Sequence, residues 1–350
     1  MQAVAIPYRL SFKRPAGTSR GVLHYKDTYF LILAQDGKTG IGECALFRGL
    51  SADDRADYEL TLNRLVEKIN DNQPVRTEDY REWPSIVFGL ETALRSLASQ
   101  RNDILFPSDF TSGKSGIRIN GLIWMGDRDF MFSQIKEKIE AGFRVIKMKI
   151  GALDFETEWE LLRYIRTQFG PSDIEIRVDA NGAFTPEEAL SKLEKLARLQ
   201  IHSIEQPVKP GQWELMAELC RKSPLPVALD EELIGIFHRD RKEELIRNIK
   251  PRYIILKPSL TGGFTGTDEW IETAEKNQVG WWITSALESN VGLNAIAQFT
   301  FSKNVKMPQG LGTGGLFVNN IDSPLYIRKD ELRFDPGKNL SLPGALYENI

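Results

Sequence analysis

Six charged residues of this chain recur at a nearly constant spacing, each at the end of a short apolar run. They lie on five runs that follow one another about every 25 to 30 residues: Lys147 and Lys149, then Asp179, Glu205, Asp230 and Lys257. Side chains alternate along a strand, so the apolar Ile146 and Met148 face one side and the two lysines between them the other. Three carboxylates that converge in a low-dielectric cavity cannot all stay ionised without a cation. The pattern therefore predicts a cation site.

The residue types around this cluster indicate which cation it would hold. An all-oxygen ligand set suits Mg²⁺ or Mn²⁺. The three histidines are isolated from one another, and the two cysteines, Cys44 and Cys220, are too far apart to suggest a thiolate metal site or a disulfide framework. A substrate anion held on the metal would then have an ammonium group on each side, from Lys149 and Lys257.

A structural ion pair is the more common role of any one inward charge, because charged groups are rarely buried unless paired. Five such charges at one depth on successive strands favour a functional site, since structural pairing does not need all of them at one end. Lys147 fits equally well as an ion-pair partner of the carboxylates and as a catalytic support. The pattern leaves the direction of Glu288 open.

The elements that position these residues form a repeating series. From about residue 116, short apolar runs alternate with amphipathic helical stretches, which is typical of parallel βα units. Eight strands are expected, at 117–123, 144–150, 174–181, 203–208, 227–231, 253–259, 280–287 and 305–309. A doubly wound sheet would carry a Gly-rich loop after its first strand, and Gly121-Leu122-Ile123-Trp124 has none. We therefore expect a barrel, with the charges at the strand ends where barrel active sites lie.

One helix start is also predicted, with a capping box in the segment Thr185-Pro186-Glu187-Glu188.

The first third of the chain has a different order of elements. Strand-like runs precede two helical stretches, 53–70 and 82–100, which is typical of an α+β domain. The segment 101–115 is rich in turn-forming residues and reads as a linker. The tail from residue 321 is again strand-like. We predict a capping domain of residues 1–112, completed by 321–350, and a catalytic barrel of residues 113–320.

Length and charge exclude several functional classes. The 350 residues carry a net charge of −3 and are 41% hydrophobic, which suits two domains or one large barrel with an appendage. The absence of a Lys/Arg block argues against nucleic acid as a partner. The apolar runs are far shorter than the roughly 20 residues of a membrane span, and no signal-peptide pattern is present. We expect a cytoplasmic protein, and length and charge leave open a soluble enzyme or a binding module.

Five short motifs resemble the muconate-lactonising subgroup of the enolase superfamily in type and order. They are Lys147-x-Lys149, Asp179-Ala180-Asn181, Ile204-Glu205-Gln206-Pro207, Asp230-Glu231 and Lys257-Pro258. The resemblance covers nearly the whole chain and implies a (β/α)7β modified TIM barrel with an N-terminal α+β cap that the C-terminal tail completes. It also implies one Mg²⁺, with Mn²⁺ as a possible substitute, held by Asp179, Glu205 and Asp230. Lys149 would act as base and then acid, Lys257 would stabilise an enediolate, and Lys147 would support them.

Three further segments, 15–21, 285–290 and 310–314, resemble the o-succinylbenzoate synthase family of menaquinone biosynthesis. These enzymes are lyases that dehydrate 2-succinyl-6-hydroxy-2,4-cyclohexadiene-1-carboxylate to 2-succinylbenzoate. The resemblance implies substrate contacts from Asn181, Ser285 and Thr313, and from Ser19 and Arg20 in a cap loop that closes over the succinyl chain. Racemases of N-succinyl amino acids and dipeptide epimerases share the metal ligands and lysines, so they remain an alternative. A non-catalytic metal-binding barrel is a third possibility, although it would not need opposed lysines.

Overall fold

An antiparallel sheet forms the N-terminal part of the protein. The computed structural model describes residues 1–18 and 21–344. The sheet has the order β1 (Gln2–Thr18), β2 (Gly21–Gln35) and β3 (Lys38–Cys44). Helices α1 (Tyr58–Asn70) and α2 (Pro84–Ala98) pack against it, with a 3₁₀ turn at Thr77–Tyr80 between them. Strands followed by helices are the order that the sequence predicts for the cap.

Seven parallel strands follow one another around the second sheet in chain order. After the short strand β4 (Ile117–Arg118), they are β5 (Gly121–Ile123), β6 (Val145–Lys149), β7 (Glu175–Asp179), β8 (Ser203–Glu205), β9 (Val227–Leu229), β10 (Tyr253–Leu256) and β11 (Gly280–Ile283). The predicted eighth strand, 305–309, is shorter in the structure. Only Gln309 and Gly310 form parallel bridges, to Ile119 and Thr284, and these bridges connect the two edges of the sheet. Pro308 has no N–H to donate, which limits pairing at this segment.

Helices cover the outer face of the barrel. They are α3 (Arg128–Glu140), α4 (Phe155–Gln168), α5 (Pro186–Ala197), α6 (Trp213–Lys222), α7 (Arg239–Ile249), α8 (Pro258–Thr261), α9 (Gly263–Lys276) and α10 (Asn290–Ser302), with a 3₁₀ turn at Glu231–Leu233. Helix α5 begins with the predicted capping box between Thr185 and Glu188. The outward residues Ile146 and Met148 are fully buried in the core, as strand parity requires.

Within the described part of the chain, no helix is long and apolar enough to span a membrane.

The C-terminal segment returns to the other parts of the molecule. Strands β12 (Leu325–Arg328) and β13 (Glu331–Phe334) form a hairpin, and β13 also pairs with β4. Beyond the hairpin, Leu340 and Leu342 pack in one apolar cluster with Phe30 and Ile32 of β2. The tail therefore contacts both barrel and cap. The exact domain boundaries at 112 and 320 stay a prediction.

Candidate active site

The predicted charged residues lie together at the carboxyl ends of the barrel strands. Asp179 and Glu205 end β7 and β8, and Asp230 directly follows β9. All three carboxylates are buried, at 1–2% exposure. The parallel register places Asp179 beside both Lys149 of β6 and Glu205. Strand pairing thus brings together residues that are up to 58 positions apart.

Ammonium groups neutralise these carboxylates. Lys147 Nζ lies 2.6 Å from Glu205 Oε2 and 3.0 Å from Asp179 Oδ2. Lys149 Nζ donates hydrogen bonds to Asp179 Oδ2 at 3.1 Å and to Asn181 Oδ1 at 2.7 Å. On the other side, Lys257 Nζ donates to Asp230 Oδ2.

Burial and neighbouring charges raise the pKa values of some residues in this cluster and lower those of others. Burial raises the pKa of Glu205, and the charge of Asp179 raises it further, well above the ordinary value. Burial also opposes ionisation of Asp179, but the charges of Lys147 and Lys149 outweigh it and hold the pKa of Asp179 below the usual range. For Lys147, burial lowers the pKa, but the surrounding carboxylates raise it above its ordinary value. Lys147 is therefore a firmly charged ammonium.

The donor set suits a hard divalent cation. Asp179, Glu205 and Asp230 offer only oxygen atoms, and Glu205 Oε1 is buried without a hydrogen-bond partner among the described residues. Yet within residues 1–18 and 21–344, no three histidine, cysteine or carboxylate side chains are arranged to hold a metal ion. In this arrangement Lys147 and Lys257 supply the positive charge that the carboxylates need. The residues thus fit a cation chemically, while the ammonium groups bind several of the same oxygens.

A cavity opens from this cluster toward the cap. Lys149, Lys257 and Asp179 line its floor, and three predicted substrate contacts line its walls: Asn181, Ser285 and Thr313. Phe47 and Leu50 of the cap and Trp124 of the barrel add apolar surface. Ser19 and Arg20, the other two predicted contacts, lie outside the described residues.

Glu288, whose direction the sequence leaves open, is fully buried and is not part of the cavity wall. Its carboxylate accepts hydrogen bonds from Ser259 Oγ and Ser285 Oγ, both at 2.5 Å, and from the N–H of Ala286 at 2.8 Å. Leu287 lies between Ala286 and Glu288 in the sequence. Its φ of +62° is in the left-handed region, which residues other than glycine rarely adopt. Glu288 therefore holds in place the segment that follows β11, and the hydroxyl proton of Ser285 is directed to Glu288.

Asn120 also lines the cavity and is not among the predicted site residues. It alternates with Ile117 and Ile119, so the rule that placed Lys147 inside the barrel would also have placed Asn120 there. Asn120 Oδ1 and Thr313 Oγ1 are buried, and neither has a hydrogen-bond partner in the described part of the chain. Both residues also line a second cavity, whose lining includes three cations, Lys13, Arg14 and Lys138, and one carboxylate, Glu137, which lies 3.3 Å from the Lys138 ammonium. The two cavities thus share a polar boundary.

The comparisons with known proteins agree with this geometry. The model of the family "Enolase C-terminal domain-like" matches residues 131–319, more than half of the chain. The o-succinylbenzoate synthase of Desulfotalea psychrophila is 45% identical over 93% of this chain and 98% of its own length. The chain belongs to the o-succinylbenzoate synthase family of the enolase superfamily.

Structural similarity to the enolase superfamily extends over nearly the whole chain. The crystal structure of MenC from Desulfotalea psychrophila has a TM-score of 0.85 at 42% identity, covering 95% of this chain and 99% of that one. The superfamily and the modified barrel fold predicted from the motifs are confirmed. The L-Ala-D/L-Glu epimerase of Bacillus subtilis is more distant, at 26% identity over 61% of this chain and 56% of its own length. The epimerase alternative is therefore not favoured.

Proposed function

We propose that this chain is a Mg²⁺-dependent o-succinylbenzoate synthase of menaquinone biosynthesis. It would remove water from 2-succinyl-6-hydroxy-2,4-cyclohexadiene-1-carboxylate to give 2-succinylbenzoate. The observation that carries the proposal is a cluster of three buried carboxylates at the floor of a cavity that Asp179, Lys149 and Lys257 line. Similarity to the Desulfotalea psychrophila enzyme over nearly the whole length supports the choice of substrate.

The carboxylates would hold the cation. Asp179, Glu205 and Asp230 are the proposed ligands of Mg²⁺, for which Mn²⁺ is a possible substitute. When bound, the cation supplies Lewis-acid stabilisation of the negative charge that develops on the substrate carboxylate. Lys147 lies between two of these carboxylates and also lines the cavity, so it would support the ligands from the cavity floor.

Two lysines would act on the substrate itself. Lys149, oriented by its hydrogen bond to Asn181, would remove the proton from the carbon next to the carboxylate, leaving an enediolate. The bond from the ring to the hydroxyl oxygen then breaks, and Lys149 returns the proton to the departing hydroxide, so that water leaves from the same face and the ring becomes aromatic. Lys257 lines the same cavity and would stabilise the enediolate as an ammonium group.

The second cavity would receive the succinyl end of the substrate. Asn120 Oδ1 and Thr313 Oγ1 stand where the two cavities meet, and buried polar atoms of this kind are costly unless they gain a partner. Beyond this boundary, Lys13 and Arg14 would provide positive charge for the second carboxylate, whereas Lys138 is paired with Glu137. Ser19 and Arg20 remain proposed contacts from the cap.

Direct assay tests the proposal. The purified protein with Mg²⁺ is given the cyclohexadiene substrate and, separately, N-succinyl amino acids and dipeptides. We expect 2-succinylbenzoate as the product, and a loss of kcat of roughly 10²- to 10⁴-fold in Lys149→Ala. The surface variant Lys276→Ala serves as the matched control and should keep full activity, since its side chain is 69% exposed.

Each part of the proposal can fail separately. Turnover of only the amino acids or dipeptides would assign the chain to the racemases or epimerases, and no turnover at all would favour a non-catalytic barrel. Activity that survives Lys149→Ala would remove that lysine as the base. Exhaustive chelation should abolish activity until Mg²⁺ is restored, and full activity after chelation would exclude the metal site.

A further inference from the structure

Gln206 is a buried residue that the proposed mechanism does not use. It directly follows Glu205, is completely buried and does not line either cavity at the active site, so it does not reach the substrate. Its φ of +40° lies in the left-handed region. Non-glycine residues keep such a conformation only where the surrounding structure enforces it.

The side-chain amide of Gln206 uses its full hydrogen-bonding capacity. Its Oε1 accepts from the backbone N–H groups of Asp230 and Glu232, both at 3.2 Å. Its Nε2 donates to Glu232 Oε2 and to the carbonyl oxygen of Val208, both at 3.0 Å. An amide offers two acceptor sites and two donor protons, and all four are occupied here. No other side chain of this size can both accept and donate in this way.

The backbone of Gln206 makes two further bonds to the neighbouring strands. Its N–H donates to the carbonyl oxygen of Ala228 at 2.9 Å, and its carbonyl oxygen accepts from the N–H of Gly182 at 2.7 Å. Ala228 lies on β9, and Gly182 follows Asp179 after the end of β7. Gln206 therefore connects the three chain segments that carry Asp179, Glu205 and Asp230.

The carboxylate of Asp230 is bound by Lys257, whereas its backbone N–H is bound by the side chain of Gln206. Asp230 sits between the end of β9 and a 3₁₀ turn, and the Glu232 carboxylate of that turn is held by Gln206 and by the N–H of Gly211 at 2.8 Å. Three buried carboxylates repel one another, so a flexible segment would let Asp230 move away from Glu205. The Gln206 amide opposes this movement by binding the N–H of Asp230 itself.

We infer that Gln206 is a positioning residue for the proposed metal site, because its amide fixes the backbone of Asp230 relative to Glu205. This inference rests on the metal ligands in the proposed function. Residues that orient metal ligands by hydrogen bonds, without binding the metal themselves, typically change metal affinity or activity by about tenfold to hundredfold. Loss of the amide should therefore lower cation affinity even when the fold is intact.

The test measures cation binding without turnover. Mn²⁺ is titrated into the full chain, free Mn²⁺ is followed by electron paramagnetic resonance, and Mg²⁺ is measured by competition. We expect Gln206→Met, which keeps the side-chain length but not the amide, to weaken Mn²⁺ binding by about tenfold to hundredfold. Its kcat should recover at saturating Mg²⁺. The side chain of Gln206→Asn is too short to bind both N–H groups, so this variant should also weaken Mn²⁺ binding. It replaces Gln206→Met in the test if that variant does not fold.

Gln298 provides the matched control. It is also a fully buried glutamine, and it bonds the N–H groups of Leu105 and Phe106 and the carbonyl oxygen of Asp103, none of which belongs to the site. Gln298→Met should lose stability but keep its Mn²⁺ affinity. The inference about Gln206 would be wrong if Gln298→Met weakened Mn²⁺ binding as much as the Gln206 variants do, or if both Gln206 variants kept the wild-type Mn²⁺ affinity. Either result would leave the proposed metal site standing. A wild-type chain that binds no Mn²⁺ would instead refute the proposed metal site.

Discussion

At the scale of single residues, the buried polar atoms near the candidate site differ in whether they have partners in the fold. The carboxylate of Glu288 has three hydrogen bonds, whereas Asn120 Oδ1 and Thr313 Oγ1 have none among the described residues. An unpartnered buried polar atom costs about 1–3 kcal/mol, which binding a substrate can recover. At the site, this contrast distinguishes the carboxylate of Glu288, which maintains the fold, from the Asn120 and Thr313 atoms, which we propose contact the ligand.

Replacing Thr313 by valine tests this distinction. Valine keeps the shape but removes the unpartnered hydroxyl, so the free energy of unfolding should not fall and the KM for the substrate should rise. Thr300→Val is the matched control, because Thr300 Oγ1 donates to the carbonyl oxygen of Ile296 at 2.7 Å. It should lose stability with little change in KM. Steady-state kinetics and urea denaturation check both, and an unchanged KM in Thr313→Val would exclude the contact.

Asp53 in the cap gives a prediction about pH. Burial raises the pKa of Asp53 to about 6, although hydrogen bonds from Ser85 N–H and Oγ partly offset the shift. The folded state therefore binds the proton more tightly than the unfolded chain, whose ordinary pKa is 3.8. The stabilising contribution of this proton is complete below about pH 4 and is lost as the pH rises through 6.

Asp53→Asn should remove this dependence, because an amide oxygen can still accept from Ser85 but does not titrate. We expect the variant to gain stability relative to the wild type as the pH rises from 4 to 7. Urea denaturation at several pH values in this range measures the difference. A difference that stays constant with pH would contradict the assignment.

At the scale of elements, glycines let strand β3 approach helix α2 closely. A Cβ atom at Gly42 would lie 1.9 Å from the carbonyl oxygen of Gly89, and one at Gly40 would lie 2.3 Å from that of Ala93. Both obstacles are backbone atoms, so a rotamer change cannot relieve the clash. This contact matters for the site because β3 leads directly to Phe47 and Leu50, which line the cavity.

Gly42→Ala should separate β3 from α2 and destabilise the protein by about 1–3 kcal/mol or more. Gly315→Ala is the control, since a Cβ atom there meets nothing within 4 Å. Thermal unfolding of both variants measures the effect. Equal melting temperatures for the wild type and Gly42→Ala would show that the two elements can move apart without cost.

At the scale of the whole molecule, Glu43 joins the cap to the barrel. From the end of β3, its carboxylate accepts from Ser289 N–H at 2.9 Å, Ser289 Oγ at 2.6 Å and Gly292 N–H at 2.9 Å, all at the start of α10. Thr28 of the cap donates to it at 2.9 Å. A carboxylate at a helix N-terminus is favourable, because the N–H groups there lack partners within the helix. These bonds connect the cap to the barrel segment between β11 and α10.

Glu43→Gln should weaken this connection, because its amide nitrogen would face N–H and hydroxyl donors. We expect the free energy of unfolding to fall by about 1–3 kcal/mol in urea denaturation. Thr28→Val removes only one of the four hydrogen bonds to the Glu43 carboxylate, so it should lower the free energy of unfolding by less. If Glu43→Gln were as stable as the wild type, the cap would depend on its apolar contacts instead.

Much of the barrel and of its charged cluster could be predicted from local patterns. The βα period and strand parity placed Lys149, Asp179 and Glu205 on the inner strand ends, and those residues do meet in the structure. Side-chain alternation in the first strand also places Asn120 on the inner face, although it is not among the predicted site residues. The eighth strand was predicted too long, because the pattern did not account for the missing N–H of Pro308.

What the sequence by itself determined is the order of elements and the face on which each strand residue lies. Both follow from side-chain alternation and helix periodicity, which act over a few residues. Only the tertiary structure decided that Gln206 bonds Asp230, that Glu288 turns to Ser259 and Ser285, and that Glu43 binds the start of α10. These contacts join residues 24 to 246 positions apart or depend on the shape of a turn, so no local pattern specifies them.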